Sequence, residues 1–358
     1  MATLRIGIDA RAAAEVPAGS GRVVRELLRA LGERNDPHRY VCYARQPWEA
    51  GLDERFQWRL IGLPDPWWHA RTAWAAQREC DVFLAANSFL TVLLLRLPAV
   101  PIVYDLVTFD RALRAKRRSL IVERLTLGRA VKRSAGIIAI SRATEEALVA
   151  RFPQAAGRVT VAPLGVSPAI APDGSVDEPE GFVLAVGTLE PRKNLPRLVA
   201  AYARLPEDLQ RRHRLVVAGK LGWETGPTVD ALRSLGDRCR ILGYVSDAAL
   251  AELYQLCAVF CFPSLGEGFG LPVLEAMSRG AAVLTSANTS LPEVGGDAVE
   301  YVDALDVASI AGGLERLLRS PERRAELGAR GRERAQAFSW TRTAELTLGA
   351  LEQAARGG

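Results

Sequence analysis

The run AVFCFPSLGEGFGLPVLEA, from Ala258 to Ala276, decides the fold. Its opening residues form a short apolar and aromatic stretch, which suits a strand buried on both faces of a parallel sheet. Gly266, Gly268 and Gly270 then break the pattern, and Pro272 stands in the first turn of a following helix, where a missing N–H does no harm. Strand, glycine loop and helix in that order turn free backbone N–H groups and a helix N-terminus toward an anion. Such a site contributes about 0.3–1 kcal/mol per charge when exposed. Two acids flank the loop eight positions apart, Glu267 within it and Glu275 one turn into the helix. A carboxylate repels phosphate, so this pair is better suited to accept hydrogen bonds from sugar hydroxyls. Taken singly, Glu267 reads equally well as a solvated loop residue and Glu275 as a first-turn helix acid; it is the pair around a glycine loop that points to a ligand.

Outward from this run the same alternation covers the chain. Leu4 to Asp9 (LRIGID), Tyr40–Ala44, Val82–Ala85, Val100–Tyr104, Gly136–Ile140 and Val159–Ala162 read as strands, with helical periodicity between most of them. A second series follows: Phe182–Val186, Arg214–Ala218, Cys239–Leu242, Val259–Phe262, Ala282–Thr285 and Glu300–Val302. Between the two series, Pro163 to Gly181 is rich in Pro, Gly and acids and has no period, as an interdomain linker would be. At 358 residues the chain exceeds what one core supports. The reading is α/β with two Rossmann-like domains, 1–170 and 178–340, and a last amphipathic helix from Thr341. Ligands of such sheets sit beyond the carboxyl ends of the strands, which makes the space between the halves the expected site.

Val183 to Asn194, VLAVGTLEPRKN, is the second informative segment. An apolar strand reaches Gly187, and the loop beyond delivers Arg192 and Lys193 together, suited to a diphosphate. Only 4 of the 46 basic residues are lysines, so a Lys beside an Arg is not explained by the chain's preference for Arg. Read alone, the segment is also compatible with a basic helix entry. Charge-assisted hydrogen bonds of about 1.5–3 kcal/mol each would hold a diphosphate and stabilise it as it departs.

Composition narrows the partners. Apolar runs such as Phe89–Leu95 fall far short of the roughly 20 residues that span a bilayer, and the N-terminus enters a strand directly, so a cytoplasmic protein is expected. Five scattered cysteines imply reduced thiols, with Cys257 and Cys261 as small buried hydrophobes. The net charge of +5 hides an asymmetry: residues 1–170 hold 25 Lys and Arg against 16 Asp and Glu, the rest 21 against 25. Nine cations against two acids fall in Asp110–Arg133, which reads as a solvated helical face or as a surface for anionic lipid on the inner face of the cytoplasmic membrane. No nucleic-acid reader motif accompanies them. Trp67 and Trp68, after Pro64 and Pro66, read as core or lid packing or as an acceptor-side loop.

Together these residues resemble the family 4 glycosyltransferases, retaining enzymes of the GT-B fold. The marks are Glu267 and Glu275 as E-x7-E, the run G-T-L-E-P-R-K-N from Gly187, the G-x-G-R of Gly19, Ser20, Gly21 and Arg22, the opening IGIDAR and the late LPEVGGDA, Leu291 to Ala298. The resemblance implies two domains facing each other across a cleft, with the terminal helix crossing back to the first. It also implies that Arg192 and Lys193 bind the diphosphate of a nucleotide-sugar donor, that Glu267 holds hydroxyls of the transferred sugar and that Glu275 takes the ribose. The backbone of Gly268, Phe269, Gly270 and Leu271 would meet phosphates and sugar, Thr188, Gly243 and Tyr244 would lie near the donor and its base, and Gly19 to Gly21 would form the cleft floor. Many relatives carry His-Asp after the fourth N-terminal strand; here Tyr104-Asp105 stands there, and the only histidines are His38, His69 and His213. Asp105 could orient a sugar or simply cap the strand end, and Tyr104 reads as a core aromatic. A retaining transfer in which the departing diphosphate takes the acceptor's proton tolerates that loss. No D-x-D motif occurs, in keeping with a donor site without metal, and no cofactor is implied. The expected activity is hexosyl transfer, with GDP-mannose favoured, to a glycan or lipid-linked acceptor of surface polysaccharide or glycolipid synthesis. A nucleotide-sugar epimerase, or a silent nucleotide-sugar-binding protein of the same fold, stands as the alternative.

Overall fold

Thirteen strands among the described residues form two sheets, and every pairing is parallel. The structure is a computed structural model and describes residues 3–16, 19–48, 51–106, 109, 117–168, 170–222 and 226–357. The chain passes from a first compact unit to a second between Gly165 and Val166, and returns between Phe338 and Ser339.

The first unit's strands are β1 (Arg5–Asp9), β2 (Arg39–Ala44), β3 (Phe56–Leu60), β4 (Val82–Ala85), β5 (Ala99–Val103), β6 (Ile137–Ala139) and β7 (Val159–Val161), in the spatial order β3-β2-β1-β4-β5-β6-β7. The second unit holds β8 (Val183–Val186), β9 (Leu215–Ala218), β10 (Cys239–Gly243), β11 (Val259–Phe262), β12 (Val283–Ser286) and β13 (Glu300–Val302), in the order β10-β9-β8-β11-β12-β13. Central strands such as β4, β9 and β11 are buried along their whole length, because helices cover both faces. Each sheet reverses its strand order once, at β1/β4 and at β8/β11. At such a reversal the loops beyond the two carboxyl ends diverge and leave room for a ligand.

β3 is absent from the sequence reading. It is an edge strand, FQWRL, whose burial fades from Phe56 to an exposed Leu60, so it lacks the apolar run that marks the inner strands. The helix Trp340–Gly357 packs on the helix Ser20–Gly32 and on β4 and β5, which places it in the first unit. His38 Nε2 meets Glu352 at 3.0 Å, and Thr343 Oγ1 donates to the carbonyl of Pro163 at 2.5 Å. All five cysteines are free thiols; Cys257 and Cys261 are buried.

Candidate active site

In the second unit, the loops beyond β8 and β11 are stitched together at the reversal of strand order. Pro191–Lys193 forms a single 3-10 turn after the β8 loop, and Asn194 closes it in the left-handed region at φ 59°. Asn tolerates that conformation better than other side-chain-bearing residues. Its buried amide donates to the carbonyls of Pro263 (3.0 Å) and Ala304 (2.7 Å), beyond β11 and β13. From the other side Leu265 N and Ser264 Oγ both donate to the carbonyl of Arg192, at 2.9 and 3.0 Å. The cationic turn is therefore fixed by backbone as well as by charge.

The side chains of these loops converge. Arg192 donates through Nε and Nη2 to Glu190 Oε1 (3.0 and 2.6 Å), and through Nη1 to Glu267 Oε2 and the carbonyl of Gly266. Lys193 Nζ and Ser264 Oγ donate to Glu267 Oε1 at 2.8 and 2.6 Å. Lys193 Nζ also lies 4.5 Å from the ring centre of Phe262. Burial raises the pKa of Glu267, but Lys193, Arg192 and the hydrogen bonds outweigh it and hold the carboxyl at about 2. Burial lowers that of Lys193, with Glu267 opposing. Two cations and two carboxylates thus form one cluster. Of the roughly four lone-pair positions on Glu267, three are taken, and Oε2 retains room for a further donor.

A third loop, beyond β12, clamps the glycine loop. Thr289 Oγ1 accepts from Glu267 N at 2.9 Å, Ser290 Oγ donates to the carbonyls of Glu267 (2.9 Å) and Phe269 (2.8 Å), and Asn288 Nδ2 to that of Ser264 at 3.0 Å. Thr289 holds φ 47°, a strained backbone for a β-branched residue. Glu190, Ser264 and Asn288–Ser290 are functional neighbours that sequence reasoning missed. The signal for the last was a polar run directly before Leu291, and its importance follows only from β12 lying beside β11.

The other expected donor residues are spread along this sheet edge. Gly268 is half-buried, Phe269 is buried edge-on against Phe338, and Gly270, at φ 110°, starts the helix Leu271–Ser278. Glu275 lies one turn into that helix and accepts from Tyr254 OH at 3.4 Å. Thr188 is exposed in the β8 loop. Gly243 and Tyr244 lie at the end of β10, two strands from β8, with Lys220 Nζ 4.4 Å from the Tyr244 ring centre.

In the first unit, Gly19, at φ 60°, precedes the helix that Ser20 begins. A side chain at Gly21 would stand 1.7 Å from the carbonyl oxygen of Val16, so only glycine fits there. Asp105 is half-buried beyond β5, and Tyr104, also half-buried, donates through its OH to the carbonyl of Ala86 at 2.7 Å, which satisfies the hydroxyl. At the carboxyl end of β1, the fully buried Asp9 pairs with Arg11, which stacks over Trp68 at 3.7 Å and reaches Asp65 at 3.1 Å. His69 sits beside them, 2.8 Å from Thr91 Oγ1, and burial lowers its pKa. Trp68 is therefore core, and Trp67 is exposed. The expectation for 110–133 falls largely outside the described side chains. Among the described residues, no group of three His, Cys, Asp or Glu could hold a metal ion, and no helix is long and apolar enough to cross a membrane.

Two parallel α/β units of this kind define the GT-B fold. The solved sucrose-phosphate synthase of Thermosynechococcus elongatus superposes with a TM-score of 0.78 at 21% identity, covering 99% of this chain and 100% of that one. Residues 167–334 match the family model of the glycosyl transferases group 1, and residues 17–170 match that of Glycosyltransferase Family 4. The chain belongs to glycosyltransferase family 4. It is 41% identical over 179 residues to the O-antigen chain mannosyltransferase B of Escherichia coli, a match that takes in 48% of this chain and 46% of that protein. The chain thus spans about half the length of that relative. It is 29% identical over 400 residues to the MMP alpha-(1->4)-mannosyltransferase of Mycolicibacterium hassiacum, covering 94% and 95%.

Proposed function

We propose that the protein transfers a hexosyl group, with retention, from a nucleoside-diphosphate sugar to a glycan or lipid-linked acceptor in surface polysaccharide or glycolipid synthesis. The observation that carries this reading is the convergence of Arg192, Lys193 and Glu267 beside the glycine loop at the strand-order reversal. Arg192 and Lys193 meet the diphosphate, and the amides of Gly268 to Leu271 with their helix N-terminus supply the remaining positive potential. The cations are already balanced by Glu190 and Glu267, so the diphosphate's charge falls on this preorganised potential rather than on bare side chains. Glu267 Oε2 accepts from a hydroxyl of the sugar, Glu275 from the ribose, and Thr188, Gly243 and Tyr244 border the nucleotide. Asp105 orients the acceptor or the donor sugar, and Gly19–Gly21 supply the floor on the acceptor side. The anomeric C–O bond to phosphate breaks, the bond to the acceptor oxygen forms, and the acceptor's proton passes to the departing phosphate. The mannosyltransferase names of two relatives favour a mannosyl donor.

A thermal-shift series over GDP, UDP, ADP and dTDP tests this. At a hundredfold excess over Kd the folded state gains about 2.7 kcal/mol, a rise of about 5–10 °C in midpoint, and GDP should give the largest. No response to any of the four overturns the donor assignment. With charge supplied by Arg192, Lys193 and backbone amides, transfer should continue in excess chelator. Loss of activity there, restored by manganese, contradicts that part of the reading.

A further inference from the structure

The loop between β3 and the helix Trp67–Glu79 carries a carboxylate for which the transferase reading has no use. The Asp65 side chain is 56% exposed, yet three side chains from different elements gather on one of its oxygens. Arg11, two residues past β1, donates through Nη1 to Oδ1 at 3.1 Å, and Arg45, directly past β2, donates through Nη2 to the same atom at 2.8 Å. His69 Nε2, from the helix, stands 3.5 Å from it. Arg45 is itself held, donating to both oxygens of Glu15 (3.1 and 2.9 Å) and to the carbonyl of Leu63 at 3.1 Å. Oδ2 takes no donor from the described residues.

An exposed ion pair adds little to stability, because the Coulomb gain is offset by the entropy lost in ordering both side chains. A tether on one oxygen does something else: it gives the other a fixed direction, so a ligand that binds there need not order the carboxylate. Trp67, two positions on, opens the helix and is 66% exposed. A carboxylate oxygen open to a donor and an exposed aromatic ring suit a sugar, whose hydroxyls donate to the first and whose C–H face lies on the second. A phosphate would meet the charge of Oδ2 and be repelled.

Arg11 and Arg45 place Asp65 over the ends of β1 and β2. Asp105 lies beyond β5, two strands from β1 and three from β2, about 10–14 Å across the sheet at the usual strand spacing. One hexose does not bridge that distance. We propose that Asp65 and Trp67 form a remote subsite for an uncharged sugar of the acceptor glycan, at least one unit removed from the sugar that receives the transfer. Its place along the acceptor rests on the transferase reading; its affinity for glycan does not. The acceptor is then an oligosaccharide, bound more tightly as it lengthens toward Asp65.

Titration calorimetry with α-linked manno-, gluco- and galacto-oligosaccharides of one to five units tests this. In at least one series affinity should rise with length. Asp65→Asn keeps an oxygen for the two arginines and puts a donor in place of Oδ2. It should weaken the longer oligosaccharides about 10- to 150-fold, as for the loss of one hydrogen bond to a charged group. Trp67→Ala should weaken them about two- to tenfold and, on an exposed ring, leave the unfolding midpoint unchanged. Affinity independent of length in all three series, undiminished binding by either variant, or binding abolished at about 0.5 M salt, which screens charged contacts, overturns the proposal. Nucleotide responses separate it from the donor assignment. An intact GDP response without length-dependent glycan binding removes the subsite alone, whereas length-dependent binding with no nucleotide response supports the subsite and removes the transfer.

Discussion

Glu267→Gln is expected to lower transfer by a factor on the order of 10²–10³, the range found when one preorganised electrostatic group is removed. It should also destabilise the protein at neutral pH. Arg192 and Lys193, whose side chains are 17% and 11% exposed, both donate to this buried carboxylate, and the neutral amide leaves them with one ionic partner fewer. Breaking a buried pair from one side typically costs about 3–5 kcal/mol. The pH dependence has a definite sign. The folded carboxyl titrates at about 2 against an ordinary value of 4.5. Its contribution, on the order of 3 kcal/mol, is thus complete above pH 4.5 and fades as pH falls toward 2. Unfolding measured in both proteins should show a gap that is widest near neutrality and closes through that window. A gap that stays constant down to pH 2, or none at pH 7, would mean that the cluster does not hold Glu267 ionised.

Gly219→Ala should be as damaging, through backbone rather than charge. A β-carbon at position 219 would lie 1.9 Å from the carbonyl oxygen of Gly187 and 2.6 Å from its carbon. Both are main-chain atoms, so no side chain can turn aside. The carboxyl ends of β8 and β9 would have to part, straining the bonds Gly187 N to Ala218 O (3.0 Å) and Gly219 N to Gly243 O (2.7 Å). The loop so displaced leads directly to Arg192 and Lys193. A loss of about 3–5 kcal/mol, read as a lower unfolding midpoint, should accompany loss of the nucleotide response. Gly157→Ala is the control: φ is 75° there, but nothing stands within 4 Å, and the strain alone should cost about 1–2 kcal/mol. A Gly219→Ala protein no less stable than that control would refute the close-approach argument.

The inner strands were legible in the sequence because a parallel strand covered on both faces must be apolar throughout, as VFLA in β4 and VFCF in β11 are. β3 was not, because one edge strand can alternate with polar residues and still pair. Arg192, Lys193, Glu267 and the glycine loop were each recognisable from local pattern. Their union was not, because it requires knowing that β8 and β11 are neighbours. Local pattern alone points the cations to a phosphate and Glu267 to a sugar; it does not show that in the folded chain they also hold one another. Sheet order likewise hid Thr289 and Ser290, which act on residues more than twenty positions away. The two adjacent tryptophans show the limit of composition: successive helix residues point about 100° apart, and Trp68 fills the core while Trp67 faces solvent.

The return of Trp340–Gly357 to the first unit also sets the timing of biogenesis. That helix leaves the ribosome only after the whole of Val166–Phe338. At about 5–20 residues per second the nascent first unit waits roughly 9–35 s with the bed of its missing helix uncovered. The apolar surface that Leu348 and Leu351 will bury is open to chaperones for that interval, while the second unit can complete its own sheet as it emerges.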